Sequence, residues 1–382
     1  MSTPADQTIR IAIPAALLAM IGTCIVIERP AVAPIPDVVG IPDGGIPDVG
    51  IPTGEGEGEG EGEGEGEGEG EGETIHTGLH FDGAALRDGA GAKIVIRGIN
   101  HTLWWGWKEH NEDAVAEIGK TGANAIRLVF GSGMGHSTPA EQRRVIAAAT
   151  AAGMIPIVEN HDATCKTDRP SIDAVVQWWL DPMRIAYARE FPDLIMNIAN
   201  EWGPFDGKAW SEAYVDAVKL LRAAGITNPI LIDAGGACGQ NPRSVRDHGA
   251  AIVAADVLHN VGFSVHMYAY WRTAEAADVG RWNDSGTQSP WRCEDELKSI
   301  TANGLYVVVG EIGWQGSPQV GYKTQAALDT LANLGVGWIA WSWNQNSDSA
   351  LDMVAFSDPA LYLYDPSHMS EGGSVFLRAF AK

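Results

Sequence analysis

From Ile94 onward the chain alternates between two periodicities. Short apolar runs at Ile94–Ile99, Ala125–Phe130, Ile155–Glu159, Leu194–Ala199, Ile230–Asp233, Phe263–Met267, Tyr306–Val309 and Trp338–Trp341 are bounded by turn residues, as in strands buried on both faces. Between them, apolar residues recur at helical spacing, for example over Ala114–Gly122, Glu141–Gly153, Trp210–Gly225 and Thr324–Gly335, each stretch ending in the glycine expected of a helix stop. A hairpin over Leu79–Asp88 precedes the first strand. Eight strand–helix units predict a closed parallel (β/α)8 barrel, a TIM barrel. No Gly-x-Gly-x-x-Gly follows the first strand, which argues against an open, doubly wound sheet.

Two of the runs break into a carboxylate. Leu194–Asn200 leads into Glu201, and Leu305–Gly310 into Glu311. A glutamate at the end of a buried strand is costly unless something pairs or uses it. In a barrel of this kind, function collects at the C-terminal ends of the strands. The polar residues at those ends played no part in placing the strands, so they test the idea independently. Asn100-His101 ends the first strand and Arg127 lies in the second; Asn160-His161-Asp162 ends the third and Asn200-Glu201 the fourth. His266-Met267-Tyr268 ends the sixth, Glu311 the seventh and Trp341-Ser342-Trp343-Asn344 the eighth. One such histidine or arginine would be an ordinary structural residue; seven rims carrying such groups are not. A pair of carboxyls with an arginine, a tyrosine hydroxyl and aromatic faces is what a retaining glycosidase needs: a protonated acid, an ionised nucleophile and a platform for sugar rings.

Composition sharpens this picture at the N-terminus. The formal net charge is −23, but thirteen acidic residues and no basic one lie between Pro30 and Thr74, leaving −10 on the rest. An acidic fold disfavours nucleic acid and anionic lipid and does not hinder binding of a neutral polysaccharide. Residues 1–29 contain an apolar run, Ile11–Ile27, of signal-peptide length; export is expected, with either release or a membrane tether through the N-terminus. Residues 30–74 are low-complexity: Ile-Pro-Asp repeats, which proline keeps extended, then strict Glu-Gly alternation. No apolar face is available there, so a disordered linker is expected. Residues 75–382 then form the catalytic barrel, expected to act as a monomer. An exported chain can join two of Cys165, Cys238 and Cys293, and the sequence leaves all three pairings open. Their spacing fits no zinc site.

The strings Arg127-Leu-Val-Phe, Glu159-Asn-His-Asp-Ala-Thr, Ile198-Ala-Asn-Glu-Trp-Gly, Val265-His-Met-Tyr, Val308-Val-Gly-Glu-Ile-Gly and Ala340-Trp-Ser-Trp-Asn resemble, as an ordered set, glycoside hydrolase family 5. The resemblance implies Glu201 as acid/base and Glu311 as nucleophile, with Arg127 and Tyr268 supporting Glu311. It further implies His266 as a tuner of the acid, Asn200 as the ligand of the sugar 2-hydroxyl, and His161 and Trp341 as sugar contacts. No cofactor and no metal are implied. The His161-Asp-Ala-Thr string and the Arg97-Gly-Ile-Asn-His start resemble bacterial β-mannanases, whereas Trp202 stands where those enzymes carry proline, so β-mannan and cellulose or β-glucan both remain candidate substrates. Rim tryptophans add a second layer. Trp104, Trp105 and Trp107, with His101, follow the first strand, and Trp271, Trp282 and Trp291 follow the sixth; both sets are expected to stack sugars in an open cleft, while Trp178, Trp179 and Trp210 are expected to pack in helices. The expected activity is therefore a secreted endo-β-1,4-glycanase acting by double displacement. The alternative is a non-catalytic, surface-displayed polysaccharide-binding protein on the same barrel.

Overall fold

The computed structural model describes residues 78–104, 111–132, 138–274, 291–354 and 363–381. The anticipated leader and linker, Trp105, Trp107 and Trp282 lie outside the described residues. Eight parallel strands close into a barrel: β1 (Arg97–Thr102), β2 (Ala125–Phe130), β3 (Ile155–Asn160), β4 (Ile195–Asn197), β5 (Ile230–Asp233), β6 (Val261–Met267), β7 (Val307–Ile312) and β8 (Gly337–Ala340). Closure is by β8 on β1, with Trp338 opposite Arg97 and Ala340 opposite Ile99.

The helices outside the barrel are α1 (Asn111–Gly119), α2 (Pro139–Ala151), α3 (Arg169–Trp179), α4 (Pro182–Glu190), α5 (Gly207–Ala223), α6 (Pro242–Ala255), α7 (Cys293–Ala302), α8 (Thr324–Leu334) and α9 (Glu371–Phe380). Several starts are written in the sequence. Thr138 and Glu141 form a reciprocal capping box at α2, and Asp168, Asp181, Asp206 and Asn241 accept from the free N–H groups of the first turns of α3 to α6. The helices stop slightly earlier than the glycines suggested. Only Gly335 is itself the cap, in the left-handed conformation; Gly153 and Gly225 follow the capping residues Ala152 and Ala224.

Two boundaries differ from expectation for a physical reason. The run read as the first strand begins in a different sheet. Lys93–Ile94 pairs antiparallel with Ala85–Arg87, which pairs with His80–Asp82, and the barrel strand starts three residues later at Arg97. The apolar character of Val95 and Ile96 runs through the junction, so hydropathy does not mark it. At the other site, β7 extends past Val309 to include Glu311, which pairs with His266.

Alternation along the strands sorts the barrel interior into layers. At the N-terminal end, Ala125, Ile157, Ile195, Leu231, Val308 and Ile339 form an apolar floor, closed from below by Leu79, Phe81 and Leu86 of the hairpin sheet. Phe81 packs on Tyr306 with ring centroids 4.7 Å apart, and its N–H donates to Asn260 Oδ1. Burying Phe81 and Leu86 there contributes about 2 kcal/mol each. Two residues further along the strands the interior becomes polar: Asn100, Arg127, Glu159, Asn197, Asp233 and Ser264 are fully buried. The remaining apolar residues form the larger core between strands and helices.

Candidate active site

Arg127, from the middle of β2, organises the polar layer. Its Nε donates to Asn197 Oδ1 at 2.8 Å, Nη1 to Asn100 Oδ1 and Glu311 Oε1 at 3.0 Å each, and Nη2 to Asn200 Oδ1 at 2.8 Å and Asp233 Oδ2 at 3.5 Å. Burial opposes the charge of this guanidinium, but the carboxylates of Glu159, Asp233, Glu311 and Glu201 more than compensate and raise its pKa. Glu311 is thus held on one oxygen by Arg127 and on the other by Tyr268, whose hydroxyl donates to Oε2 at 2.7 Å. Burial, reinforced by the charges of Glu311 and Glu201, pushes the Tyr268 phenol well above its ordinary pKa, so it remains a donor.

A bulge in β7 aims Glu311 inward. Val309 pairs with Val265 and Glu311 with His266, so Gly310 is the extra residue. Without it, strict alternation would put Glu311 on the outer face of the sheet, since Val308 already points to the floor.

Glu201 has a left-handed backbone, φ 49°, and its N–H donates to Asp233 Oδ2 at 3.0 Å. Its Oε1 lies 2.8 Å from His266 Nδ1, and its Oε2 lies 3.4 Å from Cys165 Sγ. Burial pushes the Glu201 carboxyl above the ordinary range and the charge of Glu311 adds to the push, against the lowering effect of the His266 hydrogen bond. His266 is itself between carboxylates: Nδ1 is also 3.5 Å from Glu311 Oε1, and Nε2 is 3.3 Å from Asp233 Oδ2. Burial works against its charge, yet Glu311, Asp233 and the Glu201 hydrogen bond raise it to about 9. One oxygen of Glu201, one of Glu311 and a nitrogen of His266 all lie within 4.8 Å of one another.

His161 has ring contacts with two tryptophans. It stacks on Trp341 with centroids 5.9 Å apart and planes at 12°, and its ring centroid lies 5.4 Å from that of Trp104, the two planes tilted by 47°. His161 Nδ1 bonds Glu159 Oε1 at 2.8 Å. Trp341 Nε1 donates to Asn346 Oδ1, and Asn346 donates to Asp352. Asn200 turns its amide nitrogen to Thr164 Oγ1 at 2.9 Å.

Of the residues singled out in the sequence, Arg127, Asn200, Glu201, His266, Tyr268 and Glu311 converge on one cluster, with His161, Trp341 and Trp104 flanking it. His101 does not sit at the end of β1 as expected; it is fully buried within the strand, one residue beyond Asn100, so alternation turns it away from the barrel axis. Trp271 and Trp291 are core residues, not platforms. Each starts a two-residue strand, the two strands pair with each other, and both rings are buried 6.1 Å apart. Trp202, in place of the proline, is also buried; its Nε1 donates to Asp168 O and its ring edge meets Tyr214.

Asp233 and Glu159 belong to the site beyond the residues expected from the sequence, and each ends an apolar run, Ile230–Asp233 and Ile155–Glu159, in the same way as the two glutamates. The disulfide is Cys165–Cys238. Cys293 stays outside it, buried at the start of α7 with Sγ 4.0 Å from Met267 Sδ. Among the described residues, two groups have donor atoms close enough for a metal ion: Cys165, Glu201 and Cys238, and Glu201, His266 and Glu311. The first contains bridged sulfurs, which are not thiolates. In the second, Arg127 already supplies positive charge to Glu311 at 3.0 Å.

The sequence model of the family Cellulase (glycosyl hydrolase family 5) matches residues 87–347, a span that contains the whole cluster. The chain belongs to glycosyl hydrolase family 5. It is a glycoside hydrolase. Its family 5 relatives include the mannan endo-1,4-beta-mannosidase of Salipaludibacillus agaradhaerens, 34% identical over 273 residues that cover 71% of this chain and 82% of the relative. The mannan endo-1,4-beta-mannosidase of Streptomyces lividans is 31% identical over 292 residues, 74% of this chain and 70% of the relative. Among solved family 5 structures, the catalytic domain of the mannanase from Streptomyces sp. SirexAA-E superposes with a TM-score of 0.66 at 29% identity, covering 79% of this chain and 90% of that one.

Proposed function

We propose that this family 5 hydrolase is a retaining endo-β-1,4-mannanase, exported through its N-terminal apolar segment, with Glu201 as acid/base and Glu311 as nucleophile. One observation carries the mechanism: oxygens of the two carboxyls lie within 4.8 Å of one another. Retaining enzymes keep their carboxyls roughly 5–5.5 Å apart, whereas inverting ones need about 6.5–9.5 Å to admit a water. The electrostatics support this division of roles. Arg127 and Tyr268 each donate to one oxygen of Glu311 and hold it as the nucleophile; burial and the Glu311 charge favour the protonated form of Glu201.

In the first step Glu311 attacks the anomeric carbon while Glu201 gives its proton to the glycosidic oxygen, leaving a covalent glycosyl-enzyme. In the second, Glu201 takes a proton from water, which displaces Glu311 with a second inversion. Asn200, its carbonyl fixed by Arg127 and one amide hydrogen by Thr164, has its second amide hydrogen for the 2-hydroxyl, and Trp341 forms the floor of the central sugar site. Mannose differs from glucose in the axial 2-hydroxyl, so discrimination belongs to the surroundings of Asn200. The mannan assignment rests on the two curated relatives at 34% and 31% identity.

The test is release of reducing ends from β-mannan and from soluble cellulose in parallel, with the anomer of the first product followed by NMR. Activity on mannan with a β-anomer formed first is expected, and Glu311→Ala should lose about four orders of magnitude or more in kcat, the scale of losing a catalytic group. Turnover of cellulose alone would move the substrate to glucan. An α-anomer formed first would overturn the retaining mechanism.

A further inference from the structure

We propose that the Cys165–Cys238 disulfide is a positioning element for the acid, holding the proton on Glu201 Oε2, so that the oxidised enzyme carries the competent acid and the reduced enzyme does not. This deepens the reading of Glu201 given above and rests on it. The bridge ties the loop after β3 to the loop after β5, and the Glu201 side chain lies against both. Cys165 Sγ is 3.4 Å from Oε2. Gly239, next to Cys238, approaches so closely that a Cβ there would be 3.1 Å from Glu201 Cγ. Cys165, Cys238 and Glu201 all have left-handed backbones, φ 57°, 52° and 49°, a conformation that the surrounding contacts must hold.

The chemistry of sulfur gives the contact a direction. A bridged sulfur has no hydrogen, so it can only accept, and the hydrogen bond at Oε2 must run from a protonated Glu201 to Sγ. That favours the neutral acid. A thiol at the same place can donate S–H to Oε2, which favours the carboxylate. Reduction by a dithiol delivers two electrons and two protons, breaks the S–S bond, leaves thiols on both cysteines and a disulfide on the reagent. It therefore reverses the preference at Oε2. Cys165 is exposed and Cys238 half-buried, so a small reductant reaches them. The other groups facing Glu201 stay as they are: Asp233 on β5, His266 on β6, Tyr268 just beyond it, Glu311 on β7, Arg127 on β2 and His161 after β3.

The test is the pH dependence of kcat/KM for the full chain, oxidised and after dithiothreitol, and for Cys165→Ala/Cys238→Ala. Each is measured on the polymer the enzyme cleaves and on a 2,4-dinitrophenyl oligoglycoside, whose leaving group needs no acid. Reduction should move the basic limb on the polymer down by about one pH unit, costing about tenfold above it, with little change on the aryl substrate and recovery on reoxidation. The double variant loses the acceptor without gaining an S–H donor, so it should show a smaller downward shift that does not recover; if it does not fold, the reduced wild-type enzyme supplies the comparison. Superimposable profiles, or an equal loss on both substrates with the limb unmoved, would overturn the proposal. Glu201→Ala separates the two readings: a loss on the polymer that spares the aryl substrate keeps Glu201 as the acid whatever the cysteines do.

Discussion

Five side chains accept from the Arg127 guanidinium, and one of them, Asp233, also touches His266 and the backbone of Glu201. Asp233 is therefore the joint between the two halves of the site, although it lies a layer below the reacting atoms. Burial alone would raise its pKa, and His266 and Arg127 more than reverse this. Asp233→Asn keeps the shape and removes the charge. It should destabilise the fold by about 3 kcal/mol, the scale of unpairing a buried ion, and lower the pKa of His266 from about 9. Denaturant unfolding at neutral pH and an NMR titration of His266 check the two effects; a His266 titration unchanged in the variant would show that Glu311 and Glu201 sustain the charge without Asp233. Much of this scale was legible: a carboxylate ending an apolar run is a physical anomaly, and Glu201 and Glu311 stood out for that reason. Asp233 carried the same mark but lies between Ile232 and Ala234, and Glu159 was overshadowed by the Asn160-His161-Asp162 run that follows it, so their use was visible only once alternation placed them beside Arg127. The aromatics were less legible. A tryptophan after a strand reads alike whether it faces solvent, as the sugar-platform reading required, or the core, as Trp271 does.

At the scale of elements, β7 does the most for the chemistry through a single inserted residue. Gly310 has no room for a side chain: a Cβ would lie 2.2 Å from Ser264 Oγ on β6. Its carbonyl also accepts from Asn100 Nδ2 at 2.9 Å, which pins the bulge to β1. Gly310→Ala should destabilise by about 1–3 kcal/mol, the usual cost of overpacking, and lower kcat/KM through displacement of Glu311. Ser264 Oγ is buried with no hydrogen-bond partner among the described residues. Adding Ser264→Ala should therefore return most of the stability, measured by thermal unfolding; a double variant no better than Gly310→Ala would place the clash elsewhere. The strands and helices themselves were readable because eight apolar runs at barrel spacing leave few alternatives. Their ends were less so, since the apolar stretch Ile94–Ile96 runs from the hairpin sheet up to the first residue of β1 with no turn residue between them, and a bulge has no signature in hydropathy beyond a glycine. The disulfide was unreadable for a different reason: Cys165 and Cys238 are 73 residues apart, and only the closure of the barrel brings β3 and β5 loops together over Glu201.

For the molecule as a whole, the buried charges make stability depend on pH. His266 ionises at about 9 in the folded chain against 6.5 unfolded. A raised pKa of this kind contributes stability that is complete below pH 6.5 and is lost as the pH rises through 9, about 3 kcal/mol in all. The thermal midpoint should accordingly fall between pH 6.5 and 9, and fall less in Asp233→Asn. A flat profile would mean that His266 is neutral in the fold. The closure of the barrel has a consequence in time. Arg97, at the start of β1, donates to the carbonyl of Val336, 239 residues later. At a synthesis rate of about 5–20 residues per second, the first strand waits roughly ten to fifty seconds for its second neighbour to be made. Throughout that interval one of its edges has no native strand to pair with, so the youngest chains are the ones most open to wrong pairing.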